Sequence, residues 1–254
     1  DVNDTPEGYM VVTNFSRSGR EKDVQGYERY LTANDIMAEK YATAVDGRMD
    51  IDHLDFFWNF SRSYRHHILG VDYVKNLQGM KESGLTSGVV PDQDFIPRRI
   101  TSASIVIEGV RPGTDPCKTV MWTILGYPAC SVAVPLLVGD SDMLPSYVKR
   151  SGNNSHSVLC DSAMSIKKKY VFPYSRSNGN RYLDLNPVLV PSADRDCLLN
   201  LAEATELVIE REWTEICDAW FSGNGDFGEF KSAYLSASEK WFDIYTANFQ
   251  PYLQ

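Results

Sequence analysis

At 254 residues, with 43% hydrophobic and 23% charged residues, the chain has a globular composition and the length to bury a substantial core in one or two domains. Its formal net charge of −9 excludes nucleic acid as the main partner, because a polyanion binder needs a basic surface that releases counterions. No apolar run approaches the ~20 residues of a membrane span, so none is expected.

Residues 9–14, apolar and preceded by Pro6 and Gly8, read as a largely buried strand that ends in the polar pair Thr13-Asn14. Over residues 30–45, Tyr30, Ala33, Met37, Tyr41 and Ala44 recur at helical spacing, with Gly47 as a stop. A second helix is expected over residues 50–70. Its stripe of Ile51, Leu54 and Trp58, with Phe56, Phe57, Phe60 and Tyr64, is wide enough for burial on more than one side. Residues 70–98 carry Gly, Ser, Asp and Pro without periodicity and read as a long loop.

Three strand-like runs follow, at residues 101–109, 118–125 and 130–138. Pro112-Gly113-Thr114-Asp115-Pro116 and Gly126-Tyr127-Pro128 separate them, which predicts an antiparallel meander. A polar loop over 139–155 leads to a modest helix near 158–169 and a turn over 175–180. Leu198, Leu201, Thr205, Val208, Ile209, Trp213, Ile216 and Trp220 then keep helical spacing up to Gly223-Asn224-Gly225-Asp226. Phe227, Phe230, Tyr234, Trp241, Tyr245 and Phe249 resume it, so the chain ends in a helical hairpin. No repeat at solenoid or propeller periods is present.

Five cysteines, at 117, 130, 160, 197 and 217, are too sparse for a disulfide scaffold and lack the CxxC spacing of a structural zinc site; they read as buried thiols. His66-His67 and the run Asp50-Ile51-Asp52-His53-Leu54-Asp55 are the metal suspects by residue type. Adjacent histidines diverge by about 100° on a helix, however, and an acidic helix start explains the run, so no metal is expected. Lys167-Lys168-Lys169 beside Tyr170, Phe172 and Tyr174 reads as the solvated end of a short helix rather than a basic-aromatic patch. Phosphate-loop, dinucleotide and GxSxG signatures are absent, and no cofactor is expected. Thr13 and Asn14 at one strand end, and Arg98 and Arg99 ahead of Thr101-Ser102-Ala103-Ser104, form a polar constellation. An Asn amide can donate to an oxyanion and an Arg can hold a carboxylate, whereas the plainer alternative is a set of turn formers and surface charges.

The string Gly8-Tyr9-Met10-Val11-Val12-Thr13-Asn14-Phe15, with Gly26-Tyr27-Glu28-Arg29-Tyr30 leading a helix, resembles the isopenicillin-N acyltransferase-like branch of the N-terminal-nucleophile hydrolases, relatives of the choloylglycine hydrolases. Also similar are Gln93-Asp94-Phe95-Ile96-Pro97-Arg98-Arg99 with Thr101-Ser102-Ala103-Ser104, Met121-Trp122-Thr123-Ile124-Leu125-Gly126-Tyr127-Pro128, and Cys130-Ser131-Val132-Ala133-Val134-Pro135. The likeness is dispersed over roughly residues 8–185. It implies an α+β fold of the αββα sandwich type, incomplete in this chain, with a C-terminal helical hairpin. Residues 1–190 would be the C-terminal part of that domain and residues 191–254 a helical tail packed on it.

The resemblance also implies a Cys that becomes the first residue after self-cleavage and attacks an amide or thioester, with its own α-amine as base. Matched to the family's Thr-Asn-His-Phe motif, Asn14 is the expected oxyanion-hole donor, and Phe15 stands where His is often found. The arginine that bile-salt and penicillin V acylases carry in a later strand falls near Ile105, which leaves Arg99 as the substitute; Thr13, Phe15 and Ser102 are the expected substrate-binding neighbours. Asp1 bears no thiol or hydroxyl, no Cys precedes Cys117, and cleavage ahead of Cys117 or Cys130 would cut the meander. The nucleophile is therefore expected in an upstream segment that partners this chain, and the chain alone is expected to be inactive. The expected activity is that of a bacterial linear-amide hydrolase or acyltransferase acting on a small-molecule amide or acyl substrate. The alternative is a catalytically silent relative that binds a ligand or a second copy of itself. The resemblance favours a periplasmic or secreted location.

Overall fold

Helical spacing around Met37 produces the first long element. In the computed structural model, which describes residues 9–13, 26–45, 51–92, 94–110, 112–137, 141–151, 155–175, 181–221 and 226–254, α1 covers Tyr27–Ala42. Of the described residues 54% lie in helix and 15% in strand, so this is a mixed α/β fold in which helix outweighs small antiparallel sheets. The chain divides into two compact units, Asp1–Arg99 and Ile100–Gln254.

In the first unit α1 buries Arg29, Thr32, Ile36 and Met37, a face spaced at three, four and seven to eight residues. Residues 9–13 do not form the expected strand. Met10 and Val12 are exposed, while Tyr9 packs on Tyr41 of α1, with ring centroids 6.2 Å apart, and the Thr13 hydroxyl donates to the Gly26 carbonyl at 3.2 Å. Side chains, rather than a ladder, tether this segment.

The expected second helix is also much shorter. Helix α2, His53–Phe56, is capped by Asp52, whose carboxylate accepts from the Asp55 N–H at 2.7 Å, and it runs into a π-turn, Phe57–Ser61. The chain then forms a hairpin of β1, Arg65–His66, and β2, Val71–Asp72. Short polar side chains compete for the backbone here, since Ser63 Oγ accepts from the Arg65 N–H at 3.4 Å. Gly70 is not a helix stop: its φ of 63° serves the hairpin turn.

The stretch expected as a loop over 70–98 contains α3, Tyr73–Glu82, and a short strand β3, Val89–Pro91. Asp72 caps α3 by accepting from the Lys75 N–H at 3.3 Å. Leu77 is its one buried residue, too little for a visible periodicity. Tyr64, His66 and Tyr73 meet Phe95 edge-on, with centroids 6.0, 5.9 and 6.1 Å away, and these rings form the centre of the unit.

The second unit is built on the expected meander. Strands β4, Ala103–Glu108, β5, Val120–Leu125, and β6, Ala133–Leu137, pair antiparallel in that order, with Val106 opposite Trp122 and Trp122 opposite Pro135. Gly126 turns the chain out of β5 at φ 94° and donates its N–H to the Ser102 carbonyl at 2.8 Å. After α4, Val158–Ile166, and a π-turn, Lys167–Val171, come a hairpin of β7, Tyr174–Ser175, and β8, Arg181–Asp184, and the short helix α5, Asn186–Leu189. The basic run is not a solvated helix end throughout: Lys167 is buried, with its Nζ 6.0 Å from the Tyr127 ring centroid.

The helical hairpin consists of α6, Leu198–Phe221, and α7, Phe227–Asn248, followed by α8, Gln250–Leu253. It lies on one face of the sheet, where Trp122 meets Trp213 edge-on at 6.2 Å. Three buried side chains tie it to the backbone of β6 and of the turn before it. The Glu206 carboxylate accepts from the Ala133 N–H at 2.6 Å, and the Tyr234 and Tyr245 hydroxyls donate to the carbonyls of Pro135 and Cys130 at 2.9 and 3.0 Å. Because strand side chains alternate, Ile105 and Ile107 point to the opposite face, where they are 52% and 69% exposed.

Candidate functional site

Of the residues that the sequence singles out, Asn14 and Phe15 lie outside the described residues. Thr13 bonds to the start of α1, as above. Arg99 is exposed and ends the first unit beside Asp92: its charge and backbone N–H, with the charge of Arg98, favour the Asp92 carboxylate. Burial outweighs them and raises the Asp92 carboxyl above the ordinary carboxylate range. Ser102 is exposed near the start of the second unit, where its carbonyl accepts from the Gly126 N–H.

The thiols decide which nucleophile this chain can offer. Cys160, Cys197 and Cys217 are free thiols, and Cys130 is fully buried in the turn before β6. Burial pushes the Cys160 and Cys197 thiols up, and it pushes Cys217 up to about 12, helped by the negative charges of Asp218, Glu108 and Glu210. A thiol in such surroundings stays protonated at neutral pH and is a poor nucleophile.

Cys217 also carries a sign for stability. Its folded value lies above the ordinary thiol value of 9.0, so its contribution is complete below pH 9 and is lost as pH rises towards about 12. The urea midpoint of the protein is expected to fall as pH rises from about 9 towards about 12, and Cys217→Ala is expected to flatten part of that fall. A midpoint profile unchanged by the substitution would speak against the half-buried, protonated thiol.

Sequence pattern missed a second polar cluster, because it assigned His66 and His67 to a helix. Instead His66 ends strand β1 and His67 begins the turn that follows it. His66 is buried against Phe95, accepts the Leu69 N–H on Nδ1 at 3.3 Å, and is shifted down by burial. His67 turns outward and places Nδ1 2.6 Å from an Asp35 carboxylate oxygen. Arg65 bonds Glu39 at 2.6 Å and lies 3.5 Å from Asp35, so α1 and β1 are joined by a four-residue charge network beside a cleft of about 300 Å³.

Asp35 can orient the His67 imidazole, leaving Nε2 as a base in the neutral tautomer. The observed partners are otherwise those of a helix-to-hairpin fastening, in which partly exposed pairs contribute at most about 1 kcal/mol each. Arg29, buried on α1, forms an ion pair with Asp94, which also lies 3.6 Å from Arg98. Among the described residues no group of three or more His, Cys, Asp and Glu side chains is placed to hold a metal ion, and no helix is long and apolar enough to cross a membrane. Comparison of the chain with protein-family models, with curated proteins and with solved structures returns no match.

Proposed function

We propose that this chain forms the α-on-β half of an αββα sandwich of the N-terminal-nucleophile type. The protein then hydrolyses a linear amide C–N bond, or transfers its acyl group, through a Cys that lies outside these residues. The observation that carries this reading is the layering of the second unit. Helices α6 and α7 cover one face of the β4–β5–β6 sheet; on the other, Thr123, Val134 and Leu136 are buried while Ile105 and Ile107 of the edge strand β4 stay exposed. A second sheet packed over the exposed β4 would extend this layering towards the sandwich. The upward shift that burial gives the Cys160, Cys197 and Cys217 thiols supports a nucleophile located elsewhere.

Within this reading Asn14 donates to the oxyanion, Arg99 positions the substrate, and Thr13, Phe15 and Ser102 line the acyl side. In the complete protein, with a chromogenic amide as substrate, Asn14→Ala is expected to lower kcat by about 100- to 1,000-fold. Arg99→Ala is expected to act mainly on KM. Unchanged kinetics in a folded Asn14→Ala variant would remove the assignment. The exposed β4 face also favours a second reading, a silent relative that covers this surface with another copy of itself. Light scattering separates the two, because a stable monomer of the complete protein contradicts the second.

A further inference from the structure

The helical hairpin carries a groove that the proposed amide chemistry does not use. It lies on α6 and α7, holds about 310 Å³, and is walled by Trp220 and Phe230, with Ala219 leaving room beside them. Trp220 is fixed in place. Its ring stacks on Phe230 with centroids 3.9 Å apart and an interplanar angle of 22°, and the Lys118 ammonium lies 5.3 Å from its centroid. Glu215, Asp226 and Glu229 complete the rim, and among the described residues the lining contains no basic side chain. Lys231, the basic side chain closest along α7, is ion-paired with Asp142 instead. Asp226 uses one carboxylate oxygen to accept the Gly228 N–H at 3.1 Å, capping α7, and its other oxygen is outside that bond.

We propose that this groove binds a small organic cation, its ammonium head on the acidic rim and its apolar body on the Trp220–Phe230 wall. Charge and surface together select this class. An anion meets three like charges on a chain of net charge −9, an inorganic cation gains nothing from the aromatic wall, and a neutral apolar molecule leaves the carboxylates unused. A volume at the low end for small-molecule sites suits a body of one ring. The site is independent of the amide-cleaving reading.

The test is titration of the 254-residue protein with benzyltrimethylammonium, 3-phenylpropanol and 3-phenylpropionate, followed by tryptophan fluorescence and calorimetry. Saturable binding of the ammonium is expected, about tenfold tighter than the alcohol, with no binding of the carboxylate. Glu215 and Glu229 are exposed, so the double variant E215Q/E229Q should keep its circular dichroism and bind the ammonium no better than the alcohol. A219L, which fills the groove from an exposed helix position, should abolish binding of both. Equal binding of the three probes, no saturation by the ammonium, or unchanged affinity in folded E215Q/E229Q each overturns the proposal.

Discussion

Gly126→Ala is expected to destabilise the second unit by about 3 kcal/mol or more, lowering the thermal midpoint by roughly 6–12 °C. Two independent penalties act at this position. A φ of 94° is left-handed backbone that an L side chain adopts only with strain, on the order of 1–3 kcal/mol. A Cβ at residue 126 would also sit 2.5 Å from the Ala163 Cβ in the buried middle of α4, and such overpacking costs about 1–3 kcal/mol. The two separate experimentally. Adding Ala163→Gly to Gly126→Ala opens the overlap but leaves the backbone strain, so the double variant should be less destabilised than the sum of the single variants. Strict additivity in denaturant unfolding would show that the close approach of this turn to α4 is not what requires glycine.

Glu206→Ala should cost a similar amount, about 3 kcal/mol, for a different reason. Glu206 is 1% exposed on α6, and its carboxylate receives the N–H of Ala133, the first residue of β6. Removing it leaves a buried backbone donor with no acceptor and a cavity beside it. Glu206→Gln retains an acceptor oxygen and should recover part of the loss, whereas Glu206→Leu fills the space without the bond and should not. If Leu were as good as Gln, packing rather than the hydrogen bond would be holding α6 to the sheet.

These two positions mark what the sequence could convey. The meander and the helical hairpin were legible because each rests on local pattern: apolar runs broken by Gly126-Tyr127-Pro128 in one case, and a 3.6-residue stripe from Leu198 to Trp220 in the other. The same stripe gave no sign that Glu206 faces inward, since an acidic residue at a core-facing position becomes intelligible only when the Ala133 N–H is placed opposite it. In the first unit local pattern misled. The aromatic stripe over residues 51–64 suggested one long helix, but Tyr64 serves the Phe95 cluster from beyond the helix end, and Gly70 serves a hairpin. Helix α3 was hidden because one buried residue, Leu77, makes no periodicity.

For the site, residue types suggested Thr13, Asn14, Arg99 and Ser102, but only the family resemblance gave them roles. Of the three that the structure describes, each is engaged locally: Thr13 with Gly26, Arg99 beside Asp92, and Ser102 with Gly126. The His67–Asp35 pair went unread because it joins residues 32 positions apart on two elements, one of them misassigned as helix.

The most direct test is intact mass together with N-terminal sequencing of the protein expressed from its complete reading frame. A self-cleaved product whose new first residue is Cys, and whose formation stops when that Cys is replaced by Ala, is the result the N-terminal-nucleophile assignment predicts. A chain that stays uncleaved, with no Cys, Ser or Thr exposed at any new terminus, would contradict it.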